Sequence, residues 1–477
     1  MAGKTFYSVV WSAIERFGTQ LFQGVFTIIL ARLLMPADYG LVAMIFIFLM
    51  IGQMLMDGGL SLALVQKKNP TDDDFSTVFW FNILFGLFFY VVFVSFAPLI
   101  ARFYEQPQLV PLIKIAGLNL IAWSLGVAHG TKLDISLDFK KQAYITITSL
   151  VISGLVGIVM AHLGYGVWAL ITQYLLNNTL RSLAFWVFGP RWHPRLVFKM
   201  ASLKSLFQFG GTWILSSLLD TIYKNMYAVF IGKRYTPTRL GFFQQSYSFS
   251  NLVTTNVAYT IVRAFIPLHA SLNDNPDEQS KLFYRFLSLS GFIVFPIAML
   301  FAVLVEPFVS VVLTDKWLPT VPYIQILCMA YLSFPVLVTN GRMLLSKGFS
   351  KEFLWSEIIK KAFGFTAFFS CLPHGITWIC VSIGIYACMD MIISVAFTQK
   401  FLHIRWTEQL RVVVPVFGLA LLSGIVAWVA TYCVSSDWAK LIVGTLSGIS
   451  IYIIGSYLLK FKELEFALNY FKHHKDA

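Results

Sequence analysis

In this chain of 477 residues only 12% are charged, and the side chains best placed to do chemistry are the few charges inside long apolar stretches. A charge at membrane depth costs about 2.5–3.5 kcal/mol even on permissive scales, so such residues usually face a protein interior. Glu15 and Arg16 lie in the first apolar stretch, Asp57 near the end of the second and Arg181 in the sixth. Asp220 and Lys224 lie in the seventh, Arg263 near the end of the eighth and Arg342 at the end of the tenth. Glu357, Lys360 and Lys361 fall in or just before the eleventh, and Asp390 in the twelfth.

Spacing sorts these residues. Asp220 and Lys224 are four apart and share a helix face, so they read either as a self-neutralising pair or as a cavity cation with its counter-ion. Glu357 and Lys361 are spaced in the same way. Lys360 sits about two turns deep if its helix starts at Phe353, where it suits an anionic ligand; with a start near Ala362 it is an interfacial lysine. Glu15 and Arg16 face a cavity or sit at headgroup depth. Arg181 faces a site or snorkels to the surface.

Covalent and metal chemistry have no constellation here. There is no H-E-x-x-H, no Walker-type glycine loop and no dinucleotide fingerprint. Cys328, Cys371, Cys380, Cys388 and Cys433 all lie in apolar segments without metal-ligand spacing, and read as small hydrophobes. Asp72, Asp73 and Asp74 form a carboxylate cluster, but they follow Asn69-Pro70-Thr71 and precede an apolar run. That pattern marks a helix start. We therefore expect no enzyme, no cofactor and no metal, with H⁺ or Na⁺ as a coupling ion.

The elements that position these charges are membrane helices. Hydrophobic residues make up 57% of the chain and mean hydropathy is +0.72, whereas soluble domains carry about 25% charged residues. Apolar runs long enough for a bilayer of about 30 Å recur throughout. We read about fourteen spans, near 10–31, 40–62, 76–101, 109–130, 143–163, 165–188, 206–231, 240–267, 283–312, 319–345, 354–373, 375–400, 411–433 and 438–459. Net charge is +13, yet about 21 of the Lys and Arg fall in loops on the N-terminal side and about 8 opposite. This positive-inside asymmetry argues against a nucleic-acid partner and puts both termini in the cytoplasm. No cleavable signal peptide is expected ahead of the first span.

The chain also reads the same way twice. Ala31-Arg32-Leu33-Leu34-Met35-Pro36-Ala37-Asp38-Tyr39-Gly40 is echoed by Gly232-Lys233-Arg234-Tyr235-Thr236-Pro237-Thr238-Arg239-Leu240-Gly241. Pro98 after Ala97 answers to Pro307 after Glu306, Pro111 to Pro322, and Gly166 to Gly375. Six spans per copy is an even number, so both copies enter from one side and the repeat is parallel. The fold is then an all-α integral membrane protein with two six-helix bundles around a central cleft and two C-terminal helices. We divide it as 1–190, first bundle; 191–205, cytoplasmic connector; 206–402, second bundle; 403–460, two added spans; 461–477, basic cytoplasmic tail. Arg181 and Asp390 occupy equivalent positions, separated by about 209 residues, which could bring opposite charges toward one site. Asp220 and Lys224 align with Thr19 and Gln23, so one face of the first and seventh helices is polar in both copies.

Several stretches carry a family resemblance: Trp11 to Gly18, Ala31 to Met44, Asp57 to Lys68, Asp74 to Asn82 and Val262 to Pro267. On these the chain resembles the polysaccharide transporters of the multidrug/oligosaccharidyl-lipid/polysaccharide exporter superfamily, above all the repeat-unit flippases. The resemblance implies movement of an undecaprenyl-pyrophosphate-linked oligosaccharide across the bacterial inner membrane, driven by a proton or sodium gradient. It implies a lipid-linked substrate, surrounding membrane lipids, and a polysaccharide polymerase and glycosyltransferases as partners. It also implies cavity cations on the pyrophosphate, here Arg16 and Arg263. To these our reading of the residues adds Lys224 and Lys360, with Asp57, Asp220 and Asp390 as coupling-ion candidates and Glu15, Thr19, Gln23 and Arg181 as cavity polar groups. A lipid II flippase, a multidrug exporter and a membrane-embedded glycosyltransferase are the alternatives. Drug exporters favour acidic sites for cationic drugs, whereas the intramembrane charges here are richer in cations.

Overall fold

The computed structural model describes residues 2–270, 276–347, 349–402 and 404–465; the side chains of 2–6, 8–9, 208–217, 256–270, 276–277, 346 and 350 lie outside the described set. The described residues contain helices and no β-strand. In order these are α1 (Ala2–Leu33), α2 (Pro36–Asp57), the short α3 (Leu60–Gln66), α4 (Asp72–Tyr104), α5 (Leu109–Ser136), α6 (Phe139–His162), α7 (Val167–Phe188) and α8 (Met200–Arg234). Then come α9 (Pro237–Ala270), α10 (Pro276–Phe308), a π-helical turn (Val309–Leu313), a 3₁₀ segment (Asp315–Thr320), α11 (Val321–Tyr331) and α12 (Phe334–Ser346). The chain continues through α13 (Ser350–Cys371), a 3₁₀ turn (Leu372–His374), α14 (Ile376–Leu402), α15 (Trp406–Tyr432) and α16 (Asp437–Leu458).

Among the described residues, nine helical stretches are long and apolar enough to cross a membrane. Those nine do not include α1, α7, α8, α9 or α13. Each of these five carries at least one candidate charge: Glu15 and Arg16, Arg181, Asp220 and Lys224, Arg263, and Glu357 with Lys360 and Lys361.

Two segments read as single spans are broken. The 40–62 segment splits because Gly58 (φ 53°) and Gly59 (φ 70°) both adopt the left-handed conformation, which costs glycine little. The 319–345 segment splits at Leu332 and Ser333.

Local sequence sets the helix ends. Thr71 caps α4: its Oγ1 accepts from Asp74 N at 3.3 Å, and Asp74 Oδ2 accepts from Thr71 N at 2.8 Å. This reciprocal capping box satisfies two orphan donors and makes the Asp72–Asp74 cluster a helix start. The same carboxylates tie α4 to α5, to the connector and to the end of α3. Lys132 reaches Asp72 at 2.6 Å, Lys199 reaches Asp73 at 2.6 Å and Lys67 reaches Asp74 at 2.6 Å. The connector backbone docks as well, with Arg195 N donating to Ser76 Oγ (3.0 Å) and Lys199 N to Thr77 Oγ1 (3.1 Å).

The structure divides into two compact units, Met1–Gly241 and Phe242–Ala477. In the first, α4 packs on α5, α1 on α6, and α7 on both α5 and α6; α8 joins it against α2, α3 and α4. The limit of compactness therefore falls one helix later than the repeat boundary. In the second, α10 packs on α11, α15 and α16, and α14 on α11, α12 and α13.

The repeat is visible in backbone geometry. Gly166 (φ 54°) opens α7 and Gly375 (φ 111°) opens α14 at equivalent positions. Within the first unit, the echoed Pro–Gly turns lie against each other reciprocally. A Cβ on Gly40 would meet Pro237 O at 1.8 Å, and a Cβ on Gly241 would meet Pro36 O at 1.8 Å. Only glycine permits backbones this close.

Candidate functional site

Each unit holds a charge cluster, and the equivalent positions 181 and 390 take part with opposite sign. In the first unit Arg181, on α7, is half-buried and interacts electrostatically with Glu15 of α1, Asp134 of α5 and Tyr174 of α7. Its guanidinium lies 5.8 Å from the Phe185 ring centroid, within cation–π range. Glu15 in turn accepts from Thr146 Oγ1 of α6 at 3.2 Å. One cation on α7 and two carboxylates on α1 and α5 are thus within electrostatic range of one another, without an ion pair to Arg181 among the described residues.

Nearby polar pairs tie the same helices together. Asn178 Nδ2 donates to Asn119 Oδ1 at 2.6 Å, Ser182 Oγ to Ala122 O at 2.6 Å and Gln53 Nε2 to Tyr174 Oη at 3.4 Å. Side-chain hydrogen bonds between membrane helices act as such ties.

In the second unit the cluster is tighter and again has one cation and two carboxylates, with the acid now at the position equivalent to Arg181. Lys360 is 4% exposed, which settles its position well inside the protein. Helix α13 begins at Ser350, so Lys360 lies about 15 Å along its axis. Its Nζ stands 2.9 Å from Asp390 Oδ1 of α14 and 3.0 Å from Glu357 Oε1 one turn earlier on α13. Ser394 Oγ donates to Asp390 Oδ1 at 3.2 Å. One cation between two carboxylates leaves one negative charge over when both acids are ionised.

The other candidates fall as follows. Asp220 and Lys224 pair at 2.7 Å on α8 with both side chains about half exposed. Asp57 accepts from Ser61 N at 3.3 Å and from Ser61 Oγ at 2.5 Å, capping the break between α2 and α3. Arg16 is half-buried on α1. Thr19 Oγ1 is buried with no hydrogen-bond partner among the described residues, and Gln23 is exposed. The side chain of Arg263 lies outside the described residues.

The structure therefore pairs Lys360 with Asp390 and Asp220 with Lys224, and places Glu15 within electrostatic range of Arg181 without an ion pair between them. Asp134 escaped the sequence reading because the fourth span was ended at 130, whereas α5 runs to Ser136. An acid near the end of an apolar run was the available signal. Thr146 and Ser394 carried none, since lone hydroxyls are common in helices.

An all-helical, multi-pass membrane protein whose two halves each enclose a charge cluster has the architecture of a transporter. The chain belongs to the polysaccharide biosynthesis protein family, whose description matches residues 29–322. It is similar to the lipopolysaccharide biosynthesis protein WzxC of Escherichia coli (strain K12), 27% identical over 349 residues, covering 72% of this chain and 70% of the other. It is also similar to the teichuronic acid biosynthesis protein TuaB of Bacillus subtilis (strain 168), 26% identical over 321 residues and 66% of each chain. Its fold is that of the lipid II flippase MurJ in an inward closed conformation, with a TM-score of 0.78 at 14% identity over 94% of this chain and 98% of that one.

Proposed function

We propose that this chain is a flippase that moves a polyprenyl-pyrophosphate-linked oligosaccharide from the cytoplasmic to the outer leaflet of the bacterial inner membrane, with both termini in the cytoplasm and without covalent chemistry. The observation that carries the reading is that each unit holds charges within its membrane helices: Glu15 and Arg181 in the first, and Lys360 with Asp390 and Glu357 in the second. Relatives named for lipopolysaccharide and teichuronic acid biosynthesis support the substrate class, and the MurJ-like fold supports transport between two states.

The physical requirements agree. Pyrophosphate and sugars do not cross hydrocarbon unaided, because each unsatisfied polar group there costs several kcal/mol. Cations and hydroxyls replace their hydration while the polyprenyl tail stays in lipid. Arg16, Lys224 and Arg263 are the pyrophosphate contacts in this reading. Lys224 is half exposed and pairs with Asp220, which makes it more accessible than the buried Lys360.

Lys360 supplies coupling. An incoming anion and the carboxylates of Asp390 and Glu357 compete for the same ammonium. When the anion wins, a carboxylate loses its counter-ion and takes up a proton; when the anion leaves, the proton is released. A ligand shifts a two-state equilibrium only by what it binds differentially, and this exchange is such a difference.

Complementation tests the reading. Alanine at Arg16, Lys224 and Arg263, singly and together, is expected to abolish or sharply reduce surface polysaccharide while the protein remains in the membrane. Full polysaccharide output from the triple variant would remove these residues from the mechanism.

A further inference from the structure

A recess lies far along the chain from the residues discussed so far, at the corner where α10, α11, α15 and α16 meet within the second unit. It encloses about 620 Å³, inside the range of small-ligand sites. Trp428 and Tyr432 stand one turn apart on α15, with ring centroids 4.9 Å apart and planes at 90°. They are 50% and 72% exposed. Opposite polar groups come from α10, α11 and α16: Glu306, Gln325, Asp437 and Lys440.

Two of these groups keep acceptor capacity. Lys440 and Asp437 pair at 3.1 Å. Gln325 donates its Nε2 to Ala302 O at 3.3 Å, which leaves its side-chain oxygen available. Glu306 is exposed and makes no hydrogen bond or ion pair among the described residues.

This corner is where the second copy departs from the first. Glu306 and Pro307 answer to Ala97 and Pro98, and Ala97 is fully buried. In the first copy α4 runs through Pro98 unbroken to Tyr104. In the second, α10 ends at Phe308, a π turn follows, and Thr314 adopts φ 95°. A β-branched residue in that region is a true outlier, although Thr314 itself does not line the recess. Irregular backbone near membrane depth is tolerated where it is buried or lines a wet cavity. An interfacial aromatic belt would account for the two rings, but not for the carboxylate or the helix break beside them.

We infer that this recess binds neutral hexose residues of the transported oligosaccharide, as a receiving subsite on the side that our proposed topology puts outside the cell. Trp428 and Tyr432 offer flat apolar surfaces to sugar C–H faces, and Glu306 and Gln325 accept hydroxyl hydrogens. A recess with two carboxylates and one ammonium repels acidic sugars. The inference rests on the flippase reading for its substrate, but concerns a separate site.

Cys433 is exposed and adjoins Tyr432, so it reports on occupancy. The test uses the purified full chain with Cys371→Ser and Cys388→Ser, and measures maleimide labelling of Cys433. The probes are the oligosaccharide released by mild acid from the source organism's lipid-linked repeat unit, and polyprenyl pyrophosphate without sugar. At about twice its Kd the free oligosaccharide is expected to slow labelling about threefold by mass action, and polyprenyl pyrophosphate to leave it unchanged. Trp428→Ala and Glu306→Gln are each expected to weaken protection about tenfold, the scale of one aromatic or charge-assisted contact. Absence of protection up to about 10 mM sugar, beyond the weak end of specific binding, would overturn the site, as would protection that both variants retain. Flipping is assayed on the same preparation in proteoliposomes. Flipping without protection rejects the sugar site alone, and protection without flipping rejects the flippase reading alone.

Discussion

Lys360→Met is the sharpest probe of the buried triad. At 2.9 and 3.0 Å from its two carboxylates, the ammonium gains about 5–6 kcal/mol of Coulomb attraction per contact at an effective dielectric of about 20. Most of that is offset by taking the ammonium out of water and the two half-buried carboxylates partly out of it. Removing only the cation strands Asp390 and Glu357 beside each other without a counter-charge, and breaking a buried ion pair this way costs about 3–5 kcal/mol. Lys360→Met should therefore raise the unfolding constant by about 150-fold or more, since about 3 kcal/mol corresponds to that factor. Neutralising the whole group with Lys360→Met, Glu357→Gln and Asp390→Asn should recover most of the loss, because replacing a buried ion cluster by neutral groups of similar size is often close to neutral. Thermal unfolding in one detergent, followed by size-exclusion fluorescence, compares the two. Equal destabilisation of the single and triple variants would refute the argument, as would a silent Lys360→Met.

Other expectations follow from separate parts of the structure. Gly40→Ala and Gly241→Ala should each abolish accumulation of folded protein, because the new methyl meets a carbonyl oxygen at 1.8 Å. Gly24→Ala on α1 has nothing within 4 Å and should be neutral or stabilising by up to about 1 kcal/mol; membrane yield and thermal unfolding read both. Ser76→Ala with Thr77→Val removes the acceptors of two connector amides, costs about 0.5–1.5 kcal/mol per hydrogen bond because water can reach these exposed residues, and should speed proteolysis between Pro190 and Lys199. Glu105, at the end of α4, is held below the usual carboxylate range by its hydrogen bond to Lys233 at 2.8 Å. Its contribution is present at neutral pH and is lost as pH falls through that lowered value. Glu105 is fully exposed, so the effect should be small and screened by salt. Glu105→Gln should flatten the acid limb of the stability curve and change little at pH 7.

Much of the helical scaffold was legible because bilayer thickness forces a long apolar run per helix: each stretch read as a span falls largely in helix, two of them broken, and nine meet the length and apolarity of a membrane span among the described residues. Breaks were harder to see. Gly58-Gly59 sits inside a continuous apolar run, and hydropathy is blind to the sign of φ. The repeat was legible from Pro36, Gly40, Pro237 and Gly241, but sequence spacing cannot say that the two turns press backbone on backbone. Pairing was the least legible property. Symmetry offered Asp390 as a possible partner of Arg181, with snorkelling as the alternative for Arg181, and gave no hint of Lys360 on the adjacent α13, which Asp390 meets at 2.9 Å. An offset in sequence identifies equivalent positions, not neighbours. The Trp428–Tyr432 recess left no sequence signal beyond Glu306 standing where the first copy has Ala97, because its walls come from helices more than a hundred residues apart.

The most direct measurement reconstitutes the purified chain in proteoliposomes with a fluorescent polyprenyl-pyrophosphate-linked oligosaccharide and follows its loss of protection from a membrane-impermeant quencher. The account predicts chain-dependent flipping that a proton gradient alters and that Lys224→Ala and Lys360→Met each suppress. Flipping no faster than in empty liposomes, under every gradient, would contradict it.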